Sequence, residues 1–160
     1  MGSPKLGHTP PRAEDETLER IRQALGGGIE AFGLRDDAGH LEAPSAGSLV
    51  VSVDSVVEGI HVDLAFCSPN DVGWKALMGA LSDLAAMGAR PVGALVALCV
   101  PEGAGDGAMA VQVMEGVAEA GEAAGCPIIG GDLSSSGALM VSVTVMGDAE
   151  GAGVRRSGAL

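Results

Sequence analysis

Tyrosine is absent from the 160 residues, and tryptophan occurs once and phenylalanine twice, so aromatic rings supply neither the bulk of a core nor a stacking platform for single-stranded nucleic acid. Positive charge is also scarce. Nine Lys and Arg stand against 21 Asp and Glu, a formal net charge of -12, which argues against nucleic acid and against an anionic membrane surface as partners. The three cysteines, Cys67, Cys99 and Cys126, have no paired spacing for zinc, and Cys99 and Cys126 sit in apolar runs as core thiols. No window approaches transmembrane length and the N-terminus lacks an apolar signal region, so the expected location is the cytoplasm. The sequence also lacks a lysine-bearing phosphate loop, a Gly-x-Ser-x-Gly elbow and a plausible Cys–His nucleophile pair.

What is present is a small-residue core. Apolar residues make up 47% of the chain, mostly Ala, Val and Leu, and 26 glycines accompany them. Backbones packed through such residues approach one another closely, and a chain of this length buries a single-domain core.

Along the chain, residues 1–13 read as a flexible tail. Leu18, Ile21 and Leu25 have helical spacing over 14–25, ended by Gly26-Gly27-Gly28. Residues 30–47 are loop-like and hold Asp36-Asp37. A Val-rich strand follows over 49–54, then an irregular stretch to Pro69, and a helix capped by Asn70 or Asp71 that runs to about Met87. A strand over 92–100, a helix over 105–125, a short strand over 126–129 and a strand over 139–147 complete the order. This predicts an α+β (mixed α/β) fold, with one sheet of about four strands packed by helices. The polar end, 154–160, looks cut off.

Several acids occupy places that ought to be apolar, where an unpaired buried carboxylate is costly. Asp54 closes the first Val-rich strand. Asp83 lies in a helix whose large residues, Trp74, Leu77, Met78 and Leu81, are expected on the opposite side, leaving small neighbours and room for a ligand beside it. Gly130-Gly131-Asp132 follows an apolar strand, where glycines let backbone N–H groups face a phosphate and the acid hold its metal. Each has an ordinary alternative: a strand-end turn for Asp54, a solvated helix acid for Asp83, a turn for the Gly-Gly-Asp run and for Asp36-Asp37, and a structural role for His61. Taken together, dispersed aspartates suit Mg²⁺, which binds through a few carboxylates, waters and substrate phosphates.

The runs Asp54-Ser55-Val56-Val57-Glu58-Gly59-Ile60-His61, Gly73-Trp74-Lys75-Ala76, Leu81 to Pro91, Gly130-Gly131-Asp132 and Arg156-Ser157-Gly158-Ala159 resemble the N-terminal half of the thiamine-monophosphate kinases. That family belongs to the aminoimidazole ribonucleotide synthetase-like superfamily, and the resemblance covers roughly residues 14–160. It implies ATP-dependent phosphorylation of thiamine monophosphate to thiamine diphosphate, with ATP as co-substrate and Mg²⁺ as cofactor. Carried over by position, Asp37, Ser52, Val53 (through its backbone), Asp54, Asp83 and Asp132 would hold Mg²⁺. Gly131, Asp132 and Arg156 would contact ATP, and His61 the thiamine substrate. The resemblance also implies a homodimer formed through the sheet. Arg35 precedes Asp36-Asp37 where the family has Gly, Ala80 stands where it has Asn, and the family's C-terminal domain is absent, so the half is expected to be inactive alone. A non-catalytic dimerising or nucleotide-binding domain, and a related ATP-dependent cyclo-ligase or synthetase, are the alternative readings.

Overall fold

The computed structural model describes residues 13–25, 47–103 and 107–149. Asp36, Asp37, Arg155 and Arg156 lie outside them. Seven elements follow in chain order: α1 (Ala13–Ala24), β1 (Ser48–Val57), α2 (Pro69–Ala86), β2 (Arg90–Pro101), α3 (Ala108–Ala124), β3 (Ile128–Ser136) and β4 (Met140–Ala149). The strands form one mixed sheet in the order β1-β4-β2-β3. β4 runs antiparallel to both β1 and β2, whereas β3 lies parallel to β2 and is reached through α3. The expected single four-stranded sheet with helices is therefore the observed architecture, and β1 and β3 are its two edges.

Residue alternation fixes which face is covered. Val141, Val143 and Val145 of β4 are fully buried, and their register partners Val56, Asp54 and Ser52 of β1 share that face. So do Ala94, Val96 and Leu98 of β2, against which the helices pack. The other face carries Leu49, Val51 and Val53 on β1, which are 51%, 56% and 63% exposed. An apolar sheet face left open to this degree is unusual for an isolated domain.

α2 begins with a full capping box. The Ser68 hydroxyl accepts from the Asp71 N–H at 3.2 Å, and Asp71 Oδ2 accepts from the Ser68 N–H at 2.8 Å, with Pro69 in the first turn. The cap is thus Ser68 rather than Asn70 or Asp71. The Ser68 hydroxyl and amide hold the Asp71 carboxyl below the usual carboxylate range.

The buried stripe of α2 is Val72, Gly73, Ala76, Leu77, Ala80, Leu81 and Leu84, while Trp74 and Met78 are exposed. This corrects the expected division of large and small residues at four positions: Trp74 and Met78 face outward and Ala76 and Ala80 inward, whereas Leu77 and Leu81 are buried. The reason is the crossing with α3. A Cβ on Gly73 would overlap the Val113 carbonyl oxygen and lie 2.9 Å from its carbon, and one on Gly116 would overlap the Asn70 carbonyl oxygen. Two helices this close meet through Gly73 and Gly116, with Leu77, Leu81 and Leu84 buried alongside and Trp74 and Met78 facing outward. Ala80 is fully buried and serves packing. Burial pushes the Cys126 thiol up to about 11, as expected of an inert core cysteine. No helix among the described residues is long and apolar enough to cross a membrane.

Candidate metal centre

β1 is an edge strand, and its edge explains much of the local chemistry. The Glu58 N–H donates to the Leu139 carbonyl on the β4 side at 2.9 Å. In an antiparallel ladder the N–H and C=O of one residue point the same way and alternate along the strand. Val57, Ser55 and Val53 therefore direct their backbone groups to the open edge. The Ser55 N–H is taken by Asp54 Oδ1 at 2.8 Å, and the Val57 N–H by His61 Nδ1 at 3.1 Å. The Val57 carbonyl accepts from the Ile60 and His61 N–H groups at 3.2 and 2.8 Å, closing a turn at the strand end. Val53 presents its carbonyl to the same open edge.

α2 supplies the second wall. The Ser52 hydroxyl donates to Asp83 Oδ2 at 2.6 Å, tying the strand to the helix. One turn before Asp83 comes Gly79, where an added Cβ would lie 3.2 Å from Asp54 Oδ2 and near nothing else. The Asp54 carboxylate thus rests over the bare helix backbone at Gly79. Glycine is the residue the sequence reading missed; its place four positions before Asp83, on the same side of the helix, was the available signal.

Asp54 Oδ2, both Asp83 oxygens, the Ser52 hydroxyl and the Val53 carbonyl are all hard oxygen donors, the set a Mg²⁺ ion takes. Asp54 and Asp83 are exposed, and among the described residues neither forms an ion pair with a protein cation. The residues present therefore fit a divalent cation at the β1 edge.

Asp132 stands apart. It lies on β3 at the opposite edge, in register with Ala97 on the uncovered face, and Asp132 Oδ2 accepts from the Ser134 hydroxyl at 2.8 Å. Among the described residues no three His, Cys, Asp or Glu side chains gather into one metal-binding group. The chain brings Ser52, Val53, Asp54 and Asp83 together and leaves Asp132 about three strand spacings away, roughly 14 Å. Gly131 precedes it on the covered face, where a Cβ would overlap the Val96 carbonyl oxygen. His61 sits beyond the end of β1 and is exposed. Asp37 and Arg156 lie outside the described residues.

Comparison with known proteins bears on this geometry. Residues 35–149 match the family described as AIR synthase related protein, N-terminal domain. Over 114 residues the chain is 43% identical to the thiamine-monophosphate kinase of Synechococcus elongatus, covering 70% of this chain and 34% of the relative. A crystal structure of thiamine-monophosphate kinase from Stenotrophomonas maltophilia K279a superposes with a TM-score of 0.71 at 34% identity, over 92% of this chain and 45% of that one. A solved structure of AaThiL complexed with AMPPCP and TMP gives 0.67 at 32% identity, over 76% of this chain and 38% of that one. The chain spans about a third of the length of the curated relatives it matches.

Proposed function

From the premise that the chain belongs to the AIR synthase related protein, N-terminal domain family, we propose that it forms the Mg²⁺- and ATP-binding half of a thiamine-monophosphate kinase. The observation that carries this reading is the meeting of Ser52, Asp54 and Asp83 at one sheet edge, joined by the Ser52–Asp83 hydrogen bond. The AMPPCP and TMP held by the AaThiL structure support the choice of ATP and thiamine monophosphate as ligands.

In this proposal Ser52, Val53 through its carbonyl, Asp54 and Asp83 hold Mg²⁺, with Asp37 and Asp132 as further ligands. Gly131, Asp132 and Arg156 contact ATP, and His61 the thiamine substrate. Bound Mg²⁺ would neutralise phosphate charge, which is what phosphoryl transfer requires most. The protein's share is positioning: Ser52 orients Asp83, the Ser55 N–H orients Asp54, and Gly79 leaves the space between them.

The distance from Asp132 to the β1 edge has a consequence for assembly. One chain does not close both edges on one ion, so Asp132 is assigned to the site of a second copy, in a homodimer formed through the open face bearing Leu49, Val51 and Val53. Residues 14–160 form the N-terminal domain in this proposal, the expected tail lies outside the described residues except for Ala13, which begins α1, and the cytoplasm is the proposed location.

Calorimetric titration with a non-hydrolysable ATP analogue tests the reading. Binding that requires Mg²⁺ and is lost in Asp54→Asn is expected. Absence of binding with and without Mg²⁺ would favour a non-catalytic dimerising domain.

A further inference from the structure

His61 makes a contact that the metal centre does not use. Its Nδ1 lies 3.1 Å from the Val57 backbone nitrogen, along that amide's N–H. A backbone amide only donates, so Nδ1 must keep its lone pair, and the neutral ring carries its proton on Nε2. The contact is over-determined. Val57 offers its N–H to the open edge because β4 does not reach that side of β1. The Val57 carbonyl is taken by the Ile60 and His61 amides, and the Gly59 N–H donates to the Val62 carbonyl at 2.8 Å. Gly59 itself has φ 78°, which a side chain rarely adopts, so the turn returning His61 to the strand is set by the backbone. The turn is anchored to the sheet by the Glu58 N–H on the Leu139 carbonyl, and the Leu139 N–H answers to Glu58 Oε2 at 3.4 Å.

We infer that Val57 is a positioning residue for His61: its edge N–H fixes the ring as the Nε2–H tautomer, so the site presents a single outward hydrogen-bond donor. The ligand group it receives is then an acceptor, a phosphate oxygen or an unprotonated ring nitrogen, and not a donor such as an amine. The tautomer stands on the fold alone. Only the identity of the ligand rests on the kinase reading.

The chain labelled with ¹⁵N-histidine separates the two. Three histidines are present, and His61→Gln assigns the relevant signals. In the ligand-free chain at mildly alkaline pH, long-range proton–nitrogen correlation is expected to show a pyridine-type Nδ1 and a pyrrole-type Nε2 for His61. A pyrrole-type Nδ1, or averaging between tautomers, would overturn the inference whatever the chain binds. Thiamine monophosphate, thiamine and inorganic phosphate are then added separately with Mg²⁺. Movement of the Nε2–H signal with thiamine monophosphate and phosphate but not thiamine assigns the acceptor to phosphate; movement with thiamine assigns it to the ring. Binding of thiamine monophosphate with the Nε2–H signal unmoved would overturn the donor role. His61→Gln, which places a donor near the Nε2 position, is expected to hold thiamine monophosphate better than His61→Asn, which can satisfy Val57 but reaches no further. A gap of about tenfold is expected, the worth of one hydrogen bond. Equal affinities would contradict it.

Discussion

Replacing Gly79 by Ala should strengthen the fold and weaken the metal centre at once. Gly79 lies inside α2 with nothing but Asp54 Oδ2 within reach of a new Cβ, at 3.2 Å. Glycine in a helix interior costs about 0.8–1.0 kcal/mol relative to alanine. The neighbouring carboxylate is exposed and can yield by a few tenths of an ångström, so the fold should gain about 0.5–1 kcal/mol. The same small displacement matters more to an ion that demands near-ideal geometry with oxygens at about 2.0–2.1 Å. Mg²⁺-dependent affinity for an ATP analogue should fall roughly three- to tenfold, up to about 1.4 kcal/mol. Urea unfolding in metal-free buffer reads the first effect as a raised midpoint at unchanged slope, and calorimetry reads the second. A variant that is destabilised, or that binds Mg²⁺ and nucleotide as well as the parent, would refute the placement of Asp54 over Gly79.

Gly73→Ala and Gly116→Ala should behave oppositely, because each new Cβ would overlap a backbone carbonyl of the facing helix. Even after the gain in helix propensity, each should cost about 2 kcal/mol or more, seen as a lowered urea midpoint. Mixing Asp54→Asn with Asp132→Asn chains tests the second-copy assignment: neither binds alone, while a mixed dimer regains one intact site, and failure to regain binding would place both acids in one chain's site. Asp71 is held below the usual carboxylate range by Ser68, so its contribution is present above the unfolded-state pKa and is lost as pH falls through the lower folded value. Ser68→Ala should therefore flatten the acid limb of a stability-versus-pH curve and leave the neutral limb's slope unchanged.

The sequence showed the element order because apolar periodicity and glycine or proline stops are local signals. Its errors have local causes too. β1 extends through Val57, since Ser55 and Val56 continue the ladder to Ser142 and Val141 beyond the acid that looked like a strand end. β3 runs to Ser136 although Gly130, Gly131 and three serines carry no strand propensity; β2 supplies the pairing, and Gly131 is required by its closeness to Val96. The face of α2 was misread at Trp74 and Met78, because apolar size alone does not decide burial where two helices cross through glycines. The meeting of Asp54 with Asp83 was legible as a suspicion, since two acids in apolar settings invite a shared partner. Strand order was not legible, and it is strand order that sends Asp132 to the other edge.

Titration of Mn²⁺ in place of Mg²⁺, with an ATP analogue present and amide resonances observed, locates the ion most directly. Paramagnetic broadening should appear first at Ser52, Val53, Asp54, Gly79 and Asp83. Broadening scattered over the acidic surface, with these amides no more affected than the rest, would contradict a divalent-cation centre at the β1 edge.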